Sequence, residues 1–368
     1  MVILQTDSSL PVLIIGLGRM GLAHAAIVRN MPGARIAALV DRDEGLGKMA
    51  ASMGLRAPFY ESAREAVECE KPAAAYVCTP TFTHLSIVEE LAPFGIALFV
   101  EKPLGHSLES SKRMARAVEG RNLITGVGYN LSSERMFAKA RAMLAGGVIG
   151  AVARYEASAL HGEVFMARKG WLFDPKRSGG GAAANIGTHL LYFASSCFGF
   201  PQSVSATCER LYSTRVEDEA RVELTHSGPV SGKIHICWSV PDTPILTFRL
   251  KAWGEAGTLE VTRQEILLTL ERAWEGLGGG EHRIHASDVP TACVYDFSPE
   301  YGGEGYYCES AAFLRCCAER RPYEVDFAAG LAVERILDAV YRSSNRDGTA
   351  VAIEDEGNSG LARISVRF

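Results

Sequence analysis

The hydrophobic residues of the first third of the chain gather in short runs of strand length. Residues 12–15, 36–40, 73–78, 96–100 and 122–125 each read as a strand. A short apolar run bounded by turn residues fits a strand covered on both faces. Between these runs lie stretches with helical spacing, at 22–29, 43–53, 61–68, 82–91 and 107–118. In the last, Leu108, Ala115 and Val118 share one helical face. Strands alternating with helices predict an α/β unit with a doubly wound parallel sheet.

The pattern changes after residue 128. A helix is predicted over 132–144, and then the period falls to two. Ala220, Val222 and Leu224 alternate with Arg221, Glu223 and Thr225. Ile234, Ile236, Trp238 and Val240 face one way, as do Phe248, Leu250 and Ala252. That alternation predicts an open, mainly antiparallel sheet whose polar face meets water or another subunit. Helices return at 305–320 and 328–343, where Val333, Ile336, Leu337 and Val340 form an apolar stripe. The run 276–280 is expected as a loop. At 368 residues the chain exceeds what one core usually serves. Two domains are therefore expected, the doubly wound α/β unit over 1–128 and an α+β unit over 129–368, with Gly126 and Gly128 as a hinge.

Composition narrows the setting. Hydrophobic content of 47% and a formal charge of −5 are those of an ordinary globular protein. With no basic run, nucleic acid is not an expected partner. No segment approaches the roughly 20 apolar residues of a membrane span, and residues 1–10 show no secretory pattern. Nine scattered cysteines without a C-x-x-C predict reduced thiols and a cytoplasmic location.

Candidate chemistry begins at Gly16-Leu17-Gly18-Arg19-Met20-Gly21, set between a strand and a helix. Gly16 permits the tight turn, Gly18 leaves room for a pyrophosphate, and Gly21 lets helix and sheet approach. The helix start, Arg19 and Met20 included, offers N–H groups to phosphate. Asp41 ends the second strand, where a carboxylate accepts from ribose hydroxyls and repels a 2′-phosphate. NAD is thereby favoured, while Arg42 keeps NADP open.

In a doubly wound sheet, ligands sit at the carboxyl ends of the strands. Two such ends carry chemistry: residues 78–84, with Thr79, Pro80 and His84, and Glu101-Lys102-Pro103. A lysine in a partly dry pocket can donate to a substrate hydroxyl or titrate near neutral pH. A surface lysine paired with Glu101 is the plainer alternative. Farther on, Gly179-Gly180-Gly181 leads into an apolar helix holding Asn185 and His189, four apart and so on one face. The imidazole is a fitting proton acceptor. A core histidine bonded to a carbonyl is its alternative.

Taken together, the glycine turn, Thr79-Pro80 with His84, Glu101-Lys102-Pro103, Gly128-Tyr129-Asn130 and 179–189 resemble the Gfo/Idh/MocA oxidoreductase family. Residues 216–218 and 306–313 resemble its later blocks. The resemblance implies a Rossmann domain, a C-terminal open sheet that forms a homodimer or homotetramer interface, and hydride transfer at a secondary alcohol or ketone of a sugar or cyclitol. It implies Lys102 and His189 as catalytic groups, with Thr79, Pro80, His84, Glu101 and Trp171 along the cofactor. Tyr129, Asn130 and Arg168 are expected near substrate. Arg168, Lys169, Lys176 and Arg177 read either as a cationic lip for substrate or as an ordinary exposed loop.

Two positions depart from the family pattern. Asn185 stands where many members have aspartate, and Tyr192 where many have an acid. An amide cannot take a proton at neutral pH, so Asn185 is expected to orient a hydroxyl or His189. This variant resembles members acting at C3 of nucleotide-linked sugars. A cofactor-gated sensor, or an NAD-dependent glycoside hydrolase, remains an alternative on the same scaffold. No metal site is expected: His282 and His285 read as part of a solvated turn, and the vicinal Cys316-Cys317 as helix packing.

Overall fold

The computed structural model describes residues 9–166, 170–291 and 303–354. They form two compact units. The first contains β1 (Leu10–Ile15), β2 (Ala34–Val40), β3 (Phe59–Tyr60), β4 (Ala74–Val77), β5 (Ala97–Val100) and β6 (Thr125–Val127). All pair in parallel, in the order β3-β2-β1-β4-β5-β6. Helices α1 (Arg19–Arg29), α2 (Glu44–Ser52), α3 (Ala63–Glu70), α4 (His84–Leu91) and α5 (Leu108–Val118) connect the strands. Val12, Leu13 and Ile14, with all of β4 and β5, are buried, which explains their unbroken apolar sequence. Each Val, Leu, Ile or Phe among them contributes about 1.5–3 kcal/mol on burial.

Helix starts follow local chemistry. Asp43 caps α2, Ser62 caps α3, and Ser107 opens α5 in a capping box with Ser110. At 82–91 the chain first makes a 3₁₀ turn, Thr81–Thr83, before α4 begins.

The stretch expected as a hinge overlaps β6. Gly126 is a strand residue, and a Cβ there would press on Phe99 and Phe313 at 2.9 Å. Residues Tyr306–Leu331 also belong to the first unit, so the chain returns to it instead of forming two consecutive blocks. Phe313 sits edge-on to Tyr76 and Phe99 at 5.8 and 5.3 Å. The Val127 N–H donates to the Val325 carbonyl at 2.8 Å, so the returning segment covers the β6 edge.

The second unit is built on nine strands: β7 (Val152–Leu160), β8 (Pro201–Glu209), β9 (Glu219–His226), β10 (Ser231–Cys237), β11 (Thr247–Gly254), β12 (Gly257–Val261), β13 (Glu265–Leu270), β14 (Gly280–His285) and β15 (Val351–Ala352). Their order is β14-β13-β12-β11-β7-β10-β9-β8-β15. Every pair is antiparallel except β7 with β10. Burial alternates along β9 as the sequence predicts. The helical elements are α6 (Arg135–Ala145), the single turns α7 (Glu163–Met166) and α8 (Pro175–Ser178), and α9 (Thr188–Phe198). Two longer helices, α10 (Gly303–Glu319) and α11 (Phe327–Ser344), have segments in both units. Phe193 of α9 packs edge-on against Phe137 of α6 at 5.2 Å. Among the described residues, no helix is long and apolar enough to cross a membrane.

The segment around His282 is a strand, not a turn. A spacing of three puts His282 and His285 on opposite faces of β14, so they cannot share a metal.

Candidate active site

In the first unit, β1 runs into Gly16 at φ +89°. A Cβ there would lie 2.8 Å from Thr79, and one at Gly21 would collide with the Gly16 carbonyl. Both glycines are therefore required by packing. Gly18 differs: its backbone is extended, with φ −68° and ψ −171°, and a Cβ would meet nothing within 4 Å. Its missing side chain leaves space outside the protein. Gly18 and Arg19 are exposed at the start of α1, which carries no side-chain cap and no acid in its first turn. Such a helix start suits an anion.

Asp41 stands at the end of β2 beside this turn. Its carboxylate accepts from the Leu17 N–H at 2.6 Å and from the Asp43 N–H at 3.0 Å. The glycine turn and the acid are thus joined directly. Arg42 is exposed.

At the end of β4, the Thr83 hydroxyl bonds to Thr79 Oγ1 and the Pro80 carbonyl, both at 2.7 Å. His84 is buried, with Nε2 at 2.9 Å from the Thr79 carbonyl and Nδ1 at 3.0 Å from the Leu104 carbonyl. Burial lowers its proton affinity despite the backbone bonds. Its ring thus braces two strand ends.

At the end of β5, Glu101 is buried and Lys102 half-buried. His24 Nε2 lies 2.8 Å from Glu101 Oε1, and the Lys102 N–H donates to Oε2 at 3.1 Å. Burial works against the ionised acid, but the bond from His24 and the nearby charges of His24 and Lys102 outweigh it. The Glu101 carboxyl is held below the usual range. The Lys102–Pro103 peptide is cis.

In the second unit, the three glycines lead into a π-helical turn, Ala183–Gly187, and then α9. Asn185 lies within the widened turn and His189 in the helix that follows it. Glu217 fixes its start: Oε1 accepts from the Gly181 N–H at 2.8 Å, the Ala183 N–H at 3.2 Å and the Tyr341 hydroxyl at 2.8 Å. A Cβ on Gly181 would strike the Glu217 backbone. Burial pushes the Glu217 carboxyl up against these donors. The neighbouring Asp218 accepts from the N–H groups of Leu211, Tyr212 and Ser213, each at 2.7 Å. His189 is 4% exposed, with its ring 5.7 Å from Phe248. Asn185 is half-buried, and Trp171 is half-buried in a 3₁₀ turn. Tyr129 of the first unit and Asn130 of the second are buried. Arg168 and Lys169 lie outside the described residues, while Lys176 and Arg177 are exposed on α8.

Sequence reasoning missed His24, whose only local signal is a histidine among apolar helix positions. It also missed the part of Glu217. Elsewhere, Glu219, His235 and Cys237 bring three potential ligand atoms within 4.8 Å of one another. Glu219 Oε1 is already shared by Arg221 at 2.6 Å and His235 at 2.8 Å. Burial also keeps the Cys237 thiol protonated, so the cluster reads as an ion pair. None of the described cysteines forms a disulfide.

A 3-2-1-4-5-6 parallel sheet, a bare helix start at a glycine turn and an acid ending β2 define a dinucleotide-binding domain. Residues 10–129 match the model described as oxidoreductase family, NAD-binding Rossmann fold, and residues 137–260 match the GFO/IDH/MocA C-terminal domain. The chain belongs to the Gfo/Idh/MocA family, and its cofactor is NAD. It is 33% identical over 139 residues to scyllo-inositol 2-dehydrogenase (NAD(+)) of Bacillus subtilis (strain 168), covering 37% of this chain and 40% of that protein. It is 27% identical over 265 residues to levoglucosan dehydrogenase of Pseudarthrobacter phenanthrenivorans, covering 68% of this chain and 66% of that protein. The match to inositol dehydrogenases thus spans about two-fifths of their length. A levoglucosan dehydrogenase structure in complex with NADH and levoglucosan shares the fold, with a TM-score of 0.84 at 21% identity over 95% of this chain and 100% of that one.

Proposed function

We propose that the protein is an NAD-dependent dehydrogenase that transfers a hydride between nicotinamide and a secondary alcohol or ketone of a sugar or cyclitol. The observation that carries this reading is the fixed Glu101-Lys102 strand end in the same unit as the glycine turn and Asp41. The similarity to inositol and levoglucosan dehydrogenases supports the substrate class. Bound nicotinamide supplies the hydride acceptor. Asp41 holds the adenosine ribose, and the N–H groups at Gly18, Arg19 and Met20 hold the pyrophosphate. Thr79, Pro80 and Trp171 bound the cofactor, with His84 and Glu101 behind them. His189 takes the hydroxyl proton, Lys102 steadies the developing alkoxide, and Asn185 aligns the hydroxyl. The reading requires Lys102 and His189 to serve one carbinol. Self-association through the open sheet completes it, with light scattering as the check.

The test is NADH formation with myo-inositol, scyllo-inositol, levoglucosan and nucleotide-linked sugars. Lys102→Ala is expected to lower kcat at least about a hundredfold, with NADH still bound. His189→Ala is expected to remove the limb of the pH–rate profile near neutrality. Unchanged kcat in Lys102→Ala, or no turnover of any polyol or sugar, rejects the reading. An amide at 185 favours one second reading, a cofactor-gated sensor: a sugar would then raise the melting temperature in the presence of NAD without forming NADH.

A further inference from the structure

His24 is fully buried in α1 yet polar. Tyr76, Phe99 and Tyr306 surround its ring at 5.0, 5.5 and 5.8 Å. Packing alone would place a leucine there. Both its nitrogens meet polar groups: Nε2 faces Glu101 Oε1 at 2.8 Å, and Nδ1 faces the Ser310 hydroxyl at 3.5 Å. Glu101 in turn divides its two oxygens, one toward α1 and the other toward the Lys102 N–H at 3.1 Å. The carboxylate also lies against Gly128, where a Cβ would stand only 3.1 Å from Oε2. It is therefore confined on three sides.

We propose that His24 is a positioning residue for Lys102, acting through the Glu101 carboxylate. This rests on the proposed role of Lys102. The same helix that presents its start to the cofactor phosphates holds, five residues on, the acid that fixes the lysine. Cofactor and Lys102 then share one frame. A buried carboxylate deprived of its donor would turn or take up a proton. Turning releases the Lys102 backbone N–H, and protonation removes a negative charge that the lysine senses. The ionisable groups facing this pair are Lys102 from the β5 end, Tyr76 and Cys78 from β4 and its end, His84 from α4 and Tyr306 from α10, while Glu309 and Cys317 of α10 act on Tyr76.

The experiment compares full-length His24→Leu, His24→Gln and Glu101→Gln with the parent. Leucine fills the space without an N–H, and glutamine keeps a donor. One readout is the pH profile of kcat for NAD with myo-inositol, scyllo-inositol or levoglucosan. A second is the titration of ¹³C-dimethylated Lys102 followed by NMR, its resonance assigned by loss in Lys102→Arg. His24→Leu and Glu101→Gln are expected to lower kcat roughly a hundredfold and to make Lys102 lose its proton at lower pH. The NADH affinity of His24→Leu is expected to stay within about threefold, and His24→Gln to recover most of the loss. Parent-like kcat and an unmoved Lys102 titration in a folded His24→Leu overturn the proposal. If that variant does not fold, Glu101→Gln decides by the same criteria. If the parent oxidises none of these compounds and no nucleotide-linked sugar, the functional reading falls, and the Lys102 titration alone decides the part of His24.

Discussion

Three glycines of one hexapeptide do different work, and single methyl groups separate them. A methyl on Gly21 collides with the Gly16 carbonyl, whereas one on Gly18 meets open space. Gly21→Ala is expected to destabilise the protein by about 1–3 kcal/mol, read by urea denaturation. Gly18→Ala is expected to change stability by less than about 0.5 kcal/mol, yet to weaken NADH at least about tenfold, read by fluorescence titration. The turn was legible in sequence because strand, glycines and helix are contiguous, and Asp41 follows within one strand-helix-strand unit. His24 was not legible, because its partner lies 77 residues away and its neighbours give it only apolar context. Lys102 was legible by its place after a buried strand, but the acid that joins its backbone N–H to His24 was not.

Elements show the same divide. The apolar run 182–193 announces a buried helix, and α9 is one. The π-helical turn before it depends on Glu217, 36 residues beyond Gly181, and periodicity cannot report such a clamp. Its charge state has a measurable consequence. The folded chain holds the Glu217 proton more tightly than the unfolded chain does. Stability from this group is therefore greatest below the ordinary carboxylate value and is lost as pH rises through the raised one. Glu217→Gln, which stays neutral, is expected to melt about 2–4 °C above the parent at pH 8. The gap should close toward pH 4.5, and a scan of melting temperature against pH checks it. In the second unit the alternation of β9, β10 and β11 was legible, whereas β7, β8, β12 and β13, which alternate in burial too, were not read from it. The parallel pairing of β7 with β10 was not, since alternation gives burial and not partners.

Across the whole molecule, unit membership departs from chain order. Tyr306–Leu331 belongs with the nucleotide-binding sheet. Hydrogen exchange tests this: on adding NADH, peptides from 306–331 are expected to gain protection together with those from 10–129, and more than those from β12 to β14. Protection confined to 10–129 would count against the grouping. At 100 times the Kd, NADH should add about 2.7 kcal/mol to apparent stability. The returning segment also sets a timetable for the newborn chain. When residue 129 leaves the ribosome, the rings of Tyr76 and Phe99 still lack Phe313. The β6 edge likewise still lacks Val325. At 5–20 residues per second, translation supplies residue 331 roughly 10–40 s later. Through that interval the nascent nucleotide fold carries a bare aromatic face and an open strand edge, which makes it a natural client for a chaperone.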